Sequence, residues 1–295
     1  LYKRIKYIQF KGPIPFPVLG NLYDPKAAFV ITYINSCINK YGNIFTFWAG
    51  PKAMLVVSEP EIVRKILTDT KLFIKGTDYT EKFSVVFGQG LVTSNGEKHR
   101  KDRGCLGRFF TQKYISEYNN LICELTDNMI IENILPNIGK IMDIQNFFHI
   151  LSLRIFGKFS IGIDYSLPEN QEFALKLNSG VKQGSNIIGT HIILNIPMLP
   201  FLPSVKKLKS IVKYVDNHIS DIINKRLELI KNEENCPDDI LNTLINRSLR
   251  NYLNDSFDYT MKDIHEHIRT ALAAGHDTTA FFGCYMTYLL SLYPE

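Results

Sequence analysis

No run of eighteen apolar residues occurs anywhere in the chain, so no transmembrane helix is encoded within it. Cysteine is sparse and odd in number. Cys37, Cys105, Cys123, Cys236 and Cys284 are widely separated and form no Cys-x-x-Cys pair, which argues against a zinc module and for reduced thiols in a reducing compartment. There is no internal repeat and no low-complexity tract. A strong charge of one sign is lacking too: a net charge of +5 is small for 295 residues, and the lysines are dispersed, so no nucleic-acid footprint is indicated. A dinucleotide fingerprint is missing as well. Gly88-Gln89-Gly90 is not followed by a third glycine and opens no βαβ unit, so it reads as a turn.

What is present is a globular composition, with 45% apolar and 21% charged residues, long enough for one large domain or two ordinary ones. The dense basic patch is Lys3, Arg4 and Lys6 in the opening "LYKRIKYIQF", which fits equally an exposed tail or the flank that follows a membrane anchor upstream. Alternate prolines in Gly12-Pro13-Ile14-Pro15-Phe16-Pro17 force a stiff, extended lead-in. Residues 26–40 read as a helix. The β-rich runs of 42–57 read as a hairpin turned at Gly50-Pro51. Ser58 with Glu61 reads as a capping box for the helix that follows. Residues 71–95 lack a clean period and read as an irregular loop with one short helix. Helical patterns then dominate, at 97–109, 112–133, 143–161, 170–185, 204–232, 237–250 and from Thr260 to about 292, with a stiff apolar connector at 195–204. The expected fold is mainly α with a small β-hairpin.

Inside the last apolar helix stands "AAGHDTTA" (273–280), whose glycine, acid and paired threonines are indifferent or poor helix formers. Thr260 and Asp263 form an N-cap pair for this helix, and Ile264, Ile268 and Leu272 mark its apolar face. Ala274, Asp277 and Thr278 stand at i, i+3 and i+4, and Ala271 extends their side by a turn. Such a strip of small side chains beside an acid and a hydroxyl suits a flat ligand lying against the helix. Gly275 favours the same reading. With Thr278 it opens a local polar notch if the hydroxyl bonds back to the preceding turn. The alternative is that the small residues permit close helix packing, with Asp277 exposed and Thr278 back-bonded.

The string resembles the central-helix motif of the cytochromes P450, Ala/Gly-Gly-x-Asp/Glu-Thr-Thr/Ser, in the setting "MKDIHEHIRTALAAGHDTTA". Other landmarks agree in order. "GPIPFPVLGN" (12–21) is similar to the proline-rich hinge, and "KYGNIFTFWAGPKAMLVVSEPEIVRKIL" (40–67) to the first hairpin and its flanking helices. "SNGEKHRKDRGCLGRFF" (94–110) is similar to the Trp-x-x-x-Arg segment, "PMLPFLP" to the entrance loop, and "SLYPE" to the start of the next helix. The resemblance implies one incomplete, truncated P450-like domain over 1–295. Its parts are a basic flank (1–11), hinge (12–21), hairpin and helix (40–67), propionate-contact helix (96–110) and central helix (260–292).

By the resemblance, the chain is part of a haem-thiolate monooxygenase that inserts one oxygen atom from O2 into an apolar substrate. Ala274 and Gly275 would lie over the distal haem face, and Asp277 and Thr278 would be the acid and alcohol that deliver protons there. His276, at the variable position, would face away and is not an iron ligand. Arg103 would pair with a haem propionate, and His99, standing where the family has Trp, would be a second contact. Arg100 and Lys101 read as a solvated basic face for an acidic electron donor of the NADPH-cytochrome P450 reductase type. Substrate contacts would come from 76–92, 187–203 and 267–278, with Phe83, Val85, Val86 and Phe87 as candidate walls. A membrane surface is a further partner, and nucleic acid is not. The implied location is the cytosolic face of the endoplasmic reticulum membrane if an anchor precedes Leu1, and the cytoplasm otherwise.

No cysteine here follows a Phe-x-x-Gly-x-x-x-Cys pattern, so no metal ligand is assigned, and the axial cysteine is expected beyond Glu295. Without it, the chain is expected to be an inactive relic or a non-catalytic binder of apolar ligands. A metal hydrolase built from His265, Glu266 and His267 with His276 and Asp277 is disfavoured, because His-x-His at i, i+2 points to different helix faces.

Overall fold

The computed structural model describes residues 10–24, 30–250 and 259–294. The expected basic patch at Lys3, Arg4 and Lys6 lies outside them, as do the first residues of the helix expected from 26. The contacts divide the chain into two compact units. One is built from 1–82 with 186–205, the other from 83–185 with 206–295.

The first unit is organised by its hairpin. Strands β1 (Ile44–Ala49) and β2 (Lys52–Val57) pair antiparallel, with Ala49 opposite Lys52, so Gly50-Pro51 is the turn, as expected. Gly50 has a φ of +57°, the left-handed geometry that favours glycine in tight hairpin turns. The proline-rich lead-in lies along β1. The amide of Thr46 donates to Lys11 O at 2.8 Å, and a Cβ on Gly12 would come 2.2 Å from Thr46 O, so no larger residue fits there. Buried Asn21 completes the join: its Oδ1 accepts from Trp48 N at 2.8 Å, and its Nδ2 donates to the carbonyls of Pro13 and Ile14. That side chain replaces the ladder bonds that the prolines cannot make.

Helix α1 (Val30–Tyr41) sets Tyr33 and Cys37 against Phe45, Phe47 and Ala49 to form this unit's core. Helix α2 (Pro60–Thr68) departs from expectation at its start. It is capped by Glu59 with Pro60 in the first turn, and no side chain caps it. Ser58 instead bonds to Asn43 at the base of the hairpin, whose Nδ2 donates to Glu59 at 2.8 Å, so the serine closes the hairpin.

In the second unit, α3 (Ser84–Phe87) is the short helix expected within the irregular loop. It is followed by α4 (Gly96–Leu106), α5 (Gln112–Glu117) and α6 (Asn119–Met129). The helix expected over 112–133 is therefore broken at Tyr118. This residue tilts out of helical geometry and sets its ring 5.1 Å from Phe159 and 5.3 Å from Tyr114. Packing of the aromatic trio outweighs one helical hydrogen bond.

Four long helices complete the chain: α7 (Ile144–Ile161), α8 (Pro168–Ile193), α9 (Pro203–Lys231) and α10 (Ile240–Arg250), ahead of α11 (Met261–Leu292). Helix α8 runs past the expected end at 185. Its internal glycines are contact points and not stops: a Cβ on Gly180 would fall 2.8 Å from Ile211, and one on Gly184 3.3 Å from Leu208, both on α9. Phe109, Leu153, Tyr165, Leu241 and Ile264 lie in one core that joins α7 through α11.

Helices α7 and α11 approach most closely. A Cβ on Gly275 would fall 2.4 Å from the ring of Phe156, and one on Gly283 2.5 Å from Phe148. Between them, Ser152 donates to His276 O at 2.8 Å. Residues one turn apart on α7 thus seat successively along α11, in antiparallel order. Gly275→Ala adds helix propensity of up to about 1 kcal/mol but overpacks a filled notch, so a net loss of about 1–2 kcal/mol is expected in urea unfolding. Gly104, exposed on α4 with open space around it, gives the reverse: Gly104→Ala should raise stability by about 0.5–1 kcal/mol.

Candidate functional site

Helix α11 starts where the sequence placed it. Thr260 Oγ1 accepts from Asp263 N at 3.2 Å while Asp263 Oδ2 accepts from Thr260 N at 2.9 Å, a reciprocal capping box. Its first turns are held by α4. Lys98 reaches Asp263 at 2.9 Å and Asp102 at 3.4 Å, and Asp102 lies 3.4 Å from His267 Nε2 and accepts from Tyr259 OH at 2.5 Å. Asp102 is only 1% exposed. Burial pushes its carboxyl pKa up, but His267, Tyr259 and Lys98 outweigh that and hold it below the ordinary 3.8.

His99 and Arg103 stand at i and i+4 on the stripe of α4 beside the clamped one. His99 is half-buried. Arg103 is exposed and makes no ion pair among the described residues.

Two turns further along α11, Ala274 and Thr278 are exposed on one side, with Thr279 beside them. The hydroxyls bond back, Thr278 to Ala274 O at 2.9 Å and Thr279 to Gly275 O at 3.1 Å. The helix itself stays unbroken from Met261 to Leu292. The expected polar notch is thus a pair of turn-closing hydroxyls in an intact helix, because each carbonyl takes a second donor without giving up its first.

Gly275 is a correction. Its α-carbon faces Phe156 of α7, so it belongs to the packed side and not to the open strip of Ala274 and Thr278. Asp277 leans toward α7 as well: its carboxylate is 3.8 Å from His149 Nδ1, and its side chain is 48% exposed. His276 faces away from the strip, as expected, and is fully buried. Its Nδ1 donates to Leu272 O at 2.7 Å, and burial pushes its pKa down, so the ring is neutral with Nε2 carrying the lone pair.

The loop before α4 docks on α11 through its glycines. Gly88, with a φ of +60°, lies against Glu266, whose carboxylate accepts from Gln89 N at 2.9 Å, and Gly90 abuts Thr270. The turn reading of Gly88-Gln89-Gly90 therefore holds. Of the candidate substrate walls, Phe83 and Phe87 stack at 6.0 Å and, with Val85 and Val86, are half-buried.

The open strip is small and flanked by a hydroxyl, and the neighbouring helix carries a guanidinium with no ion pair among the described residues. The chain matches the Cytochrome P450 family model over residues 10–295. It belongs to the cytochrome P450 family. Among curated relatives, this P450 is 27% identical to cytochrome P450 2H2 of Gallus gallus, over 96% of this chain and 58% of that protein. It is 26% identical to LUTEIN DEFICIENT 5, chloroplastic, of Arabidopsis thaliana, over 86% of this chain and 44% of that one. With pentalenene oxygenase of Streptomyces avermitilis the identity is 22%, over 98% and 61%. The chain spans about half the length of the curated relatives it matches.

Family membership implies a haem cofactor. Toward it the chain offers the small, exposed Ala274 and Thr278, beyond which Phe281, Phe282 and Tyr285 are exposed on the following turns, and Arg103, which makes no ion pair among the described residues, has a charge to offer a carboxylate. Cys37 and Cys105 are buried in the two cores, and Cys284 lies 3.9 Å from Ile144 O on α7. No helix among the described residues is long and apolar enough to cross a membrane.

Sequence reasoning missed the Asp102–Tyr259 clamp, Gly283 as the second seat of the helix pair, and the approach of His149 to His276 and Asp277. Only Gly283 carried a signal, standing two turns after Gly275. The clamp is checked by acid. Because Asp102 has a lowered folded pKa, its ionised form stabilises the fold above the ordinary 3.8, and that stabilisation is lost as pH falls through the folded value. Asp102→Asn should cost roughly 1.5–3 kcal/mol at neutral pH and flatten the acid limb of a stability-against-pH profile measured in urea.

Proposed function

We propose that this chain forms the distal side of a haem-thiolate monooxygenase inserting one oxygen atom from O2 into an apolar organic substrate. The carrying observation is the exposed, small-residue strip of Ala274 and Thr278, which lies between the buried first turns of α11 and a last stretch on which Phe281, Phe282 and Tyr285 are exposed. When bound, haem supplies the oxygen-activating redox chemistry. The protein's part is to seat it, orient it and handle protons. Ala274 admits the flat face by offering only a methyl group. Arg103 pairs with a propionate, where a planar cation matches a carboxylate, and His99, one turn earlier, is a second donor.

Thr278 holds the proton nearest the strip. Its hydroxyl rests on Ala274 O and must swing from that carbonyl to donate outward. Asp277, half-exposed on the next position, restores the proton through water. Phe83 and Phe87 would face an apolar substrate. Electrons come from a donor of the NADPH-cytochrome P450 reductase type, for which exposed Arg100 and neighbouring Lys101 offer positive charge. Placement at the cytosolic face of the endoplasmic reticulum membrane, if an anchor precedes Leu1, belongs to the same proposal and rests on the basic opening of the sequence.

The test is haem titration followed by Soret absorbance. Ala274→Phe should weaken haem binding at least tenfold, while Gly104→Ala leaves it unchanged. Equal binding by both variants, or no binding by the parent protein, returns the chain to the relic or apolar-binder reading. In the holoenzyme, Thr278→Ala should keep haem content and lower product formed per O2 consumed severalfold. Unchanged coupling would remove Thr278 from the proton path.

A further inference from the structure

His149 on α7, with His276 and Asp277 on α11, bring three ligand-type atoms within 4.8 Å of one another. The two imidazole rings stand 5.8 Å apart at 58°, and His149 Nδ1 is 3.8 Å from the Asp277 carboxylate. His149 is 7% exposed and His276 fully buried, yet His149 Nδ1 and His276 Nε2 have no hydrogen-bond partner among the described residues. Two buried, unmet imidazole nitrogens beside a carboxylate are costly as a purely structural arrangement, since each forfeits its hydration without replacement.

We infer that His149, His276 and Asp277 form a binding site for a borderline divalent transition metal of the Zn2+ type. The donor set is two imidazole nitrogens and one carboxylate oxygen, which suits zinc with a fourth position left to water. His276 already has the tautomer a ligand needs: its Nδ1–H is spent on Leu272 O, the backbone contact that fixes a metal-binding imidazole, and the buried Nε2 keeps its lone pair for a ligand. The helices carrying the ligands are locked by the seating of Phe156 on Gly275 and Phe148 on Gly283. Ser152 does not compete, because its hydroxyl is committed to His276 O and Phe148 O. Tetrahedral bonds of about 2.1 Å place ligand atoms about 3.4 Å apart, so the 3.8 Å pair needs little closure and the rest under about 1.5 Å, within the reach of rotamer adjustment. The half-exposed Asp277 side chain is the route in from solvent.

The site does not depend on the haem reading. Its one link to it is that a bound ion would hold Asp277 toward α7 and away from Thr278.

The test is titration of the haem-free chain with Co2+ and Zn2+. One equivalent of Co2+ should give the intense visible d–d bands of a four-coordinate ion, displaced by Zn2+, and Zn2+ should raise the melting temperature. His149→Gln and Asp277→Asn should each weaken Zn2+ binding at least tenfold and abolish the thermal shift while keeping the parent's circular dichroism. These two positions are chosen because replacing the wholly buried His276 risks the fold. Failure of the parent to bind saturably, or equal affinity in the parent and both variants, overturns the site. The second result would place the ion on surface thiols or other histidines.

Discussion

The closest approach in the second unit is between α7 and α11, where phenylalanine rings occupy the space that Cβ atoms at Gly275 and Gly283 would need. Dispersion falls off steeply with distance, so two rings seated directly on backbone contribute more than the same rings held away by methyl groups. Glycine in a helix interior costs about 1 kcal/mol against alanine, and this helix accepts that cost twice. The result is a rigid pair of rods, further pinned by Ser152 on the carbonyl of His276. Everything else on α11 takes its direction from that contact: with one side committed to α7, Ala274 and Thr278 are turned outward.

A second, electrostatic constraint fixes the start of the same helix. Asp102 is nearly inaccessible and survives as a carboxylate because Tyr259, Lys98 and His267 surround it. Such a cluster contributes less to net stability than apolar packing of the same volume, since desolvation cancels much of the attraction. What it supplies is position. It pins the 98/102 stripe of α4 to α11, and the neighbouring stripe carrying His99 and Arg103 is thereby held beside the helix that bears the open strip.

Features governed by local rules were legible in the sequence. Gly50-Pro51 specified the hairpin turn, Thr260 with Asp263 specified the cap, and apolar periodicity located most of the long helices to within a few residues. The misreadings share one cause, that tertiary contacts overrode local signals. Ser58 looked like a cap but served the hairpin. Tyr118 sat in a helical pattern yet broke it to join an aromatic cluster, and α8 ran past its expected end at 185, with Gly180 and Gly184 as seats for α9. In the candidate site the same division holds. Facing of Ala274 and Thr278 follows from 3.6-residue periodicity, while the partners of Gly275 and Asp277 come from α7, more than a hundred positions away in the sequence.

The motif "AAGHDTTA" was open to two readings, ligand surface or helix packing, and the structure divides it between them by angle. Successive helical residues are rotated by about 100°, so eight residues cover every side of the rod. Gly275 and His276 look toward α7, Ala274 and Thr278 look out, and Asp277 sits on the boundary, near enough to His149 to be drawn inward and exposed enough to meet solvent. The helix does not loosen at this point, because the threonine hydroxyls double the hydrogen bonding of the turn they sit on. A rigid outward strip follows from a rigid inward one. On the inward side the small residue is required for contact with an aromatic ring, while on the outward side Ala274 and Thr278 leave the helix open. The boundary acid is the residue whose chemistry depends on which side holds it.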